Sequence, residues 1–465
     1  MKILNKLSNG LMVATTLSAF CITGCTDQPD KYESTDGTPR IDYIRRLSSE
    51  IKTKQDNAET VYTNGQLVTS AAPNDAICFV GDNLRSIMKI FFNDKEAAIN
   101  TSLVTDNTLI INVPGEVPNY VTDKIYLITT GNDTLTYDFS VEISAPVINS
   151  MSCEYAHIGD EIELKGQYII DDPGVPLTVE FTGAGGSKIP AVIKSIADDY
   201  TSLTCVIPEG AEEGPITVSS IYGDTETVFH YLDTRGMMFE FDGKTGLGNH
   251  GWHNMIITAD EYSLNDGDHY LQLGDGSEKD GLLNENGDWN DKLFSFEYWC
   301  GSWDDPQNFT SGDGIALYNL VDFSNAANMT LKFEMQIPKE NPWCSAAMQL
   351  IFAGTNAVTI SGNGGYPKAN NTFFKTKAEK GLDIPRALYR PWTETGSYDT
   401  GGKWVTVSIP IASSFTFNWD GSGLDYNLKK EDFASFTMFV CGGSVKGTAC
   451  NPIIRIDNIR VIPNK

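Results

Sequence analysis

The tryptophans of this 465-residue chain are concentrated in its second half, where all eight lie between Trp252 and Trp419. Three of them fall between residues 290 and 354, in segments that alternate apolar and polar residues. An indole ring fills a core well, but it also stacks on a flat, weakly hydrated ligand such as a sugar ring. The second half of the chain is therefore where a binding surface is expected.

In the segment Leu293–Trp303, some aromatic residues are expected in the core and others at a binding surface. Because successive side chains of a strand point to opposite faces, one face is apolar and is predicted to be core: Phe294, Phe296, Tyr298 and Cys300. The other face carries Ser295, Glu297, Trp299 and, beyond Gly301, Trp303. Tryptophan among small and polar residues is typical of a surface on which pyranose rings stack. Trp299 and Trp303 are therefore candidate ligand-binding residues.

Three further aromatic residues are predicted to stand on loops. Trp343, in an NPW stretch directly after an alternating strand, is placed at the rim of a sandwich, and Trp392 and Tyr366 are placed on other loops. Packing alone is the alternative for each of these residues, because a single tryptophan is more often largely buried. Soluble surfaces rarely expose aromatic patches without a use, which favours a binding platform for the set of eight tryptophans confined to one domain. Trp404 opens a strand and is expected to cover a core edge.

Catalysis is not predicted, because motifs that hydrolases need are missing from the sequence. A jelly-roll glycosidase holds two carboxylates across a bound sugar. The pattern Glu-x-Asp-x-x-Glu fails at Thr245 after Glu240 and at Leu283 after Glu278. The sequence also lacks a G-x-S-x-G elbow, an H-E-x-x-H helix and a phosphate loop. A surface-anchored glycoside hydrolase is kept as an alternative.

Alternating strands must position the aromatic residues. Segments 328–337, 405–411 and 454–461 alternate apolar and polar residues, as half-buried strands do. Because long loops join these segments, they predict a jelly-roll β-sandwich over residues 234–465.

Two smaller sandwiches are predicted upstream, over residues 40–144 and 145–233. Both have short apolar runs punctuated by Gly, Asn and Pro, which indicates immunoglobulin-like all-β domains. They share a P-x-I start, a Gly-bearing strand and a strand that ends in Val-Pro or Ile-Pro, so they read as an internal duplication. Neither contains a tryptophan, and both are expected to be spacers.

The N-terminus is predicted to direct export. Residues 1–24 read as a signal peptide, with lysines before an apolar run that ends in Gly24-Cys25. This ending resembles the lipobox of bacterial lipoproteins, which implies that Cys25 is the acylated N-terminus. An ordinary signal with a chance cysteine is the alternative. Residues 25–39 are polar and acidic and are predicted to be a flexible tether, similar to the export signal of Bacteroidota outer-membrane lipoproteins.

Charge and cysteine content exclude other classes. A formal net charge of −27 argues against nucleic acid as a partner, because phosphates would be repelled. The cysteines beyond Cys25 form no C-x-x-C pair or Cys/His cluster, which argues against a zinc site. Cys153 and Cys205 either pair or remain buried thiols.

The domain order resembles a known family. Residues 162–166 (IELKG) and 203–208 (LTCVIP) resemble the IPT/TIG immunoglobulin-like domain. With the lipobox, the acidic tether and the GSW, NPW, RPW, GGKWVTVSIP and IDNIRV stretches, the chain resembles the surface glycan-binding proteins of Bacteroidota polysaccharide-utilisation loci. Its last domain resembles their xyloglucan-binding-type domain.

This resemblance implies a lipid-anchored protein at the cell surface, on the outer membrane. An aromatic platform would bind a β-glucan (xyloglucan, mixed-linkage or β-1,3-glucan) for TonB-dependent uptake, with a SusC/SusD-like transporter and surface glycosidases as partners. By motif placement, the resemblance assigns the platform to Trp303 and Trp343, and then to Trp299. Adhesion to host glycans is a further alternative. No cofactor is predicted. Because jelly-roll binding modules often hold a calcium between their first and last strands, Asp242 and Asp457 are candidates for a structural calcium site, although the Asp in IDN can equally cap a turn.

Overall fold

Strands dominate the structure, because apolar and polar residues alternate through most of the sequence. The computed structural model describes residues 32–47, 65–245, 247, 255–257, 259–290, 292–298, 300, 315–354 and 384–464. This part of the chain contains one α-helical turn, α1 (Ile411–Ser414), and 3-10 turns at Leu84–Ser86, Thr101–Leu103, Ala184–Gly186, Leu317–Asn319, Ala326–Asn328, Pro391–Thr393 and Lys430–Asp432. The all-β prediction is confirmed. Among the described residues, no helix has the length and apolarity needed to span a membrane.

The chain divides into two compact units, of which the first ends at Glu142 and the second begins at Ile143. The strands of the first unit are β1 (Arg40–Arg46), β2 (Ser70–Ala71), β3 (Ala76–Asp82), β4 (Ile87–Phe92), β5 (Lys95–Ala97), β6 (Thr108–Asn112), β7 (Lys124–Thr129), β8 (Thr134–Asp138) and β9 (Ser140–Val141). They form the sheets β1-β3-β6 and β5-β4-β7-β8 and the parallel pair β2-β9. Phe79 and Phe92 pack with ring centroids 6.4 Å apart in the core of this small sandwich.

The second unit begins with another small sandwich. Its strands are β10 (Val147–Met151), β11 (Glu161–Gln167), β12 (Thr178–Gly183), β13 (Ser187–Pro190), β14 (Val192–Ile196), β15 (Ser202–Val206), β16 (Gly214–Ser220) and β17 (Gly223–Tyr231). They form the sheets β10-β11-β15-β14 and β13-β12-β16-β17. Ile162 and Leu164 alternate inward from β11, and Phe181 meets Tyr231 edge-on at 5.4 Å. This alternation places one face of each sheet in the core.

The larger C-terminal sandwich belongs to the same unit. Its strands are β18 (Met237–Phe239), β19 (Ile256–Ile257), β20 (Tyr270–Leu273), β21 (Ser295–Tyr298), β22 (Met329–Gln336), β23 (Met348–Ala353), β24 (Arg386–Tyr389), β25 (Val405–Pro410), β26 (Ser435–Val440) and β27 (Ile454–Pro463). One sheet has the order β19-β20-β27-β22-β25, with β18 paired to β27, and the other has the order β21-β26-β23-β24. The largest apolar cluster of the described residues lies between these sheets.

A β-bulge changes the alternation of the last strand. Asn458 has a left-handed φ of 50°, and the register between β22 and β27 shifts at this point. Ile456 faces the core before the bulge, and Ile459 and Val461 return to the core after it. Arg460 consequently points away from the core, toward the small sandwich.

The polar face of β22 is buried, which differs from the prediction of a half-buried strand. Met329, Leu331, Phe333 and Met335 line the core as predicted, yet Lys332 and Glu334 on the opposite face are 5% and 0% exposed. The reason is that this face packs against the loop after β10, where Glu154 forms an ion pair with Lys332. A face that looks solvated in the sequence is therefore an interface between the two sandwiches.

A buried charge cluster of Glu154, Lys332, Glu334 and Arg460 forms the centre of this interface. Arg460 donates from Nη2 to Glu154 Oε2 at 2.6 Å and from Nη1 to Glu334 Oε2 at 2.7 Å. Thr406 Oγ1 donates to Glu334 Oε1 at 2.9 Å. The burial of these charged side chains is tolerable because each carboxylate has a cationic partner at hydrogen-bonding distance. The cluster joins the second small sandwich to the C-terminal sandwich.

Cys153 and Cys205 are free thiols, so the pairing that the sequence left open is not formed. Cys153 packs with Tyr155 and Leu264 in one apolar cluster, whereas Cys205 lies in the core of the small sandwich. The two side chains therefore lie in different apolar clusters.

Candidate functional site

The predicted division of the Leu293–Trp303 strand is confirmed where the structure describes it. Phe294, Phe296 and Tyr298 lie in the main core. Ser295 and Glu297 lie on the opposite face, but they are 0% exposed, so this face is more enclosed than its polarity predicted. Trp299, Trp303 and Tyr366 lie outside the described residues, and their ligand-binding roles remain predictions.

Trp343 and Trp392 are buried, and the prediction that they expose their rings on loops is wrong. Trp343 is 0% exposed and Trp392 is 3% exposed. The backbone of Trp343 pairs with that of Tyr398, which turns the indole inward, and its Nε1 donates to Ser345 O at 2.5 Å. Trp392 Nε1 donates to Ala346 O at 2.8 Å. Both indoles are therefore core residues whose N–H groups bond to loop carbonyls, and neither offers a ring face to a ligand.

Trp343→Ala is expected to lower the unfolding free energy by about 3–5 kcal/mol, because the substitution leaves a cavity in the core. Chemical denaturation followed by fluorescence measures the loss. Trp404→Phe is the matched control, because Trp404 is only half-buried at an edge of the sandwich, and it should change stability much less. A Trp343→Ala variant of native stability would show that the ring is not core.

Two other tryptophans, Trp289 and Trp419, line a cleft at one end of the β21-β26-β23-β24 sheet. The cleft has a volume of about 320 Å³. Its walls come from the loop before β21, the turn after β26 and the loop after α1. Its lining residues are Asn286, Gly287, Asp288, Trp289, Gln349, Trp419, Asp420, Cys441, Gly442, Gly443 and Ser444.

The two tryptophans are held differently. Trp289 is 36% exposed and packs edge-on against the buried ring of Phe439, with centroids 4.9 Å apart. Trp419 is half-buried, and its Nε1–H has no acceptor within the described part of the chain. Because buried N–H groups are normally satisfied, an acceptor supplied by a ligand would be favoured at Trp419.

The loops that carry the tryptophans are stabilised by their own polar residues. Asn284 Nδ2 donates to Asp288 Oδ2 at 2.9 Å, and Ser422 Oγ donates to Asp420 Oδ1 at 2.6 Å. Gly442 N donates to Gly287 O at 2.7 Å and so joins two walls of the cleft. These hydrogen bonds fix the acidic side chains beside the aromatic rings.

The turn after β26 requires glycine. Gly442 and Gly443 have φ values of 58° and 90°. A Cβ atom on Gly443 would lie 2.5 Å from the Cβ of Ala347, so a larger residue would displace the turn. Glycine therefore lets the chain pass close beneath the cleft.

The floor of the cleft is polar and rigid. Gln349, which is 2% exposed, donates from Nε2 to Cys441 O at 2.8 Å and accepts a hydrogen bond from Arg386 Nη1 at 2.8 Å. Burial lowers the pKa of Arg386 to about 10, which is still high enough for the guanidinium to be charged at neutral pH. The field of Asp420 favours the charged form. The cleft thus combines indole rings with polar groups on its walls, and this combination suits a ligand that has both apolar faces and hydroxyl groups.

Sequence reasoning missed Trp289 and Trp419, although a signal was present. Both stand in turn-like stretches, GDWN and FNWDG, with the same mixture of Gly, Asp and Asn that surrounds Trp303. The stretches meet because β21, which follows Trp289, pairs with β26, and because Phe417, two residues before Trp419, pairs with Arg386 of β24 in the same sheet. Neither pairing can be deduced from the alternation of a single strand.

The calcium candidates remain a prediction. Asp242 Oδ1 accepts a hydrogen bond from His269 N at 2.8 Å, and Asp457 Oδ1 accepts one from Asn458 N at 2.7 Å. A metal-type grouping occurs elsewhere among the described residues: Glu213, His230 and Asp233 have ligand atoms within 4.8 Å of one another. Arg235 pairs with Asp233 at 2.7 Å, and this positive charge disfavours a cation there.

Asp457→Asn is expected to raise the melting temperature at pH 8 in buffer with a chelator, and to have little effect near pH 4. Burial raises the pKa of Asp457 well above its usual range, and the carboxylates of Glu334, Asp242 and Asp268 add to the rise. A carboxyl whose folded pKa exceeds its unfolded value of about 3.9 loses its stabilising contribution as the pH rises through the folded pKa. Asparagine does not ionise, so the variant should not lose this stability as the pH rises.

Differential scanning fluorimetry at both pH values measures the effect. A lower melting temperature of Asp457→Asn at pH 8 in the chelator would contradict the expectation. Stabilisation of the wild type, but not of the variant, by added Ca²⁺ would support the calcium prediction instead.

Comparison with known proteins adds to this geometry. A family model described as "Surface glycan-binding protein B xyloglucan binding domain" matches residues 231–463. The crystal structure of surface glycan-binding protein PbSGBP-B from Prevotella bryantii is 39% identical, covers 92% of this chain and 100% of its own, and has a TM-score of 0.77. An IPT/TIG domain-containing protein of Bacteroides ovatus is 26% identical over 231 residues, and the match covers 47% of this chain and 43% of that relative. This chain therefore spans less than half the length of the curated relative.

Proposed function

Because the chain belongs to the surface glycan-binding protein B family, we propose that it binds a polysaccharide through its C-terminal sandwich. The observation that carries this proposal is the cleft between Trp289 and Trp419, which lies within the residues that the xyloglucan-binding family model matches. The proposed ligand is a β-glucan: xyloglucan, mixed-linkage glucan or β-1,3-glucan.

The chemistry of the cleft suits an uncharged sugar. The C–H faces of a pyranose ring stack on indole, and its hydroxyl groups donate to carboxylates such as those of Asp288 and Asp420. The protein has a net charge of −27, so an acidic polysaccharide would be repelled at long range. A neutral glucan avoids this repulsion, and its hydroxyl groups can still bond to the carboxylates of Asp288 and Asp420.

The rest of the chain is proposed to present this sandwich outside the cell. Cys25 would carry the lipid anchor in the outer membrane, and residues 25–39 would form the tether. The domains at 40–144 and 145–233 would act as spacers. The protein would then capture a glucan for a TonB-dependent transporter of the SusC/SusD type and for surface glycosidases. Two observations support this arrangement: the sequence predicts a lipoprotein signal peptide, and the matching family is one of surface glycan-binding proteins.

Affinity electrophoresis against a panel of plant and microbial glucans tests the function. We expect retardation by at least one β-glucan, without release of new reducing ends. Reducing-end release by the pure protein would favour the hydrolase alternative. Unchanged mobility with every polysaccharide would favour adhesion to another kind of partner.

A further inference from the structure

Two cysteines of the C-terminal sandwich lie against each other. Cys344 is in the loop between β22 and β23, and Cys450 is in the segment before β27. The backbone N–H of Cys344 donates to Cys450 Sγ at 3.3 Å, so the two residues are in contact. Thr448 N donates to Cys344 O at 2.9 Å, so the two segments also run side by side.

This proximity distinguishes the pair from other described cysteines. Cys78 lies in the first unit, and Cys153, Cys205, Cys300 and Cys441 each lie in a different apolar cluster. Cys344 is partly exposed, whereas Cys450 is 9% exposed. The pair therefore combines direct contact between the two residues with an accessible member that can react first.

We propose that Cys344 and Cys450 form a disulfide once the exported chain meets an oxidant that itself carries a disulfide. Export follows from the predicted signal peptide, and the proposal does not depend on glycan binding. Oxidised glutathione, or an exported oxidoreductase in its disulfide form, is an oxidant of this class.

The reaction is an ordinary thiol–disulfide exchange. The thiolate of Cys344 attacks one sulfur of the oxidant, which breaks the oxidant's S–S bond and releases one thiol. The thiolate of Cys450 then attacks Cys344 Sγ in the mixed disulfide and releases the second thiol. Two electrons pass to the oxidant, and the protons of the two cysteines go to the released thiolates.

The environment makes this exchange slow without a catalyst. Burial raises the pKa of Cys450 to about 11 and also raises that of Cys344, so few thiolates exist at neutral pH. Alkaline buffer should therefore accelerate oxidation by glutathione.

The cross-link would close a long loop that contains β23, β24, β25 and β26 and most of the cleft. Closing a long loop restricts the unfolded chain strongly, so reduction should lower the melting temperature by roughly 5–15 °C. Glycan binding at room temperature should persist, because neither thiol lines the cleft.

The test is peptide mapping of the exported full chain after incubation with oxidised glutathione. The protein is denatured, alkylated without reduction and digested. We expect a cross-linked peptide that joins Cys344 to Cys450, and its loss on reduction. Alkylation of both residues after oxidation, or a cross-link between other cysteines, would overturn the proposal.

Variants give an independent readout of the same bond. Cys344→Ser and Cys450→Ser should abolish the effect of reductant on the melting temperature, whereas Cys205→Ser, which alters a thiol in another sandwich, should retain it. Equal sensitivity of all three variants to reductant would contradict the proposal. The mapping on wild-type protein remains decisive if a variant fails to fold.

Discussion

Alanine at both Trp289 and Trp419 is expected to weaken β-glucan binding by about 30-fold or more, with little change in melting temperature. Aromatic side chains at the centre of a binding site commonly contribute 2 kcal/mol or more, and every 1.4 kcal/mol is a factor of ten. Both indoles line the cleft, and neither belongs to the main apolar core. Isothermal titration calorimetry with a soluble glucan measures the loss, and thermal unfolding checks the fold.

Trp404→Phe is the matched control for this experiment. Trp404 is also a half-buried tryptophan of the sandwich, but it packs edge-on against Tyr270 at 6.2 Å, and its Nε1 donates to Tyr262 O at 3.1 Å. It covers an edge, as expected from its place at the start of a strand, and its substitution should leave affinity unchanged. Native affinity in the Trp289/Trp419 double variant would place the site elsewhere, and Trp299→Ala and Trp303→Ala would then be the decisive variants.

Arg460→Leu is expected to lower the unfolding free energy by about 3–5 kcal/mol. The substitution leaves Glu334 buried without its cation and leaves Glu154 with Lys332 alone, and an uncompensated buried charge is costly. Burial already raises the pKa of Glu334, so its protonation below neutral pH should reduce the loss. Urea unfolding of the wild type and the variant at pH 7 and pH 5 measures both effects.

Arg40→Leu provides a comparison, because Arg40 pairs with Asp42 on an exposed strand where solvent screens the charges. This variant should unfold almost as the wild type does. If Arg460→Leu were equally mild, the buried charge cluster would not hold the two sandwiches together.

The fold was largely predictable, because half-buried strands leave a period of two in the sequence. The alternation of β22 correctly assigned Leu331 and Phe333 to the core. It could not show that Lys332 and Glu334 are also buried, because their partner Glu154 lies in another domain and is distant in the sequence. The family resemblance, which depended on domain order rather than on any one motif, is confirmed.

The site was less predictable, because exposure depends on how loops turn. Trp343 follows a proline in a polar stretch, as an exposed residue would, yet pairing with Tyr398 draws it inward. Trp289 and Trp419 lie in equally ordinary loops and stay at the surface. Local composition marks the loops that carry tryptophan, but only long-range strand pairing determines which rings a ligand can reach.

The buried charge cluster also has a mechanical consequence. If the C-terminal sandwich binds a polymer, as proposed, a pull on that polymer would exert tension on the sandwich. Arg460, on the last strand, donates a buried hydrogen bond to Glu154 of the preceding sandwich. Tension would therefore pass between the two sandwiches through this contact, and we expect them to resist a pulling load together. Under stretching in an optical trap, wild-type protein should lose both sandwiches in a single step, whereas Arg460→Leu should separate them first at a lower force.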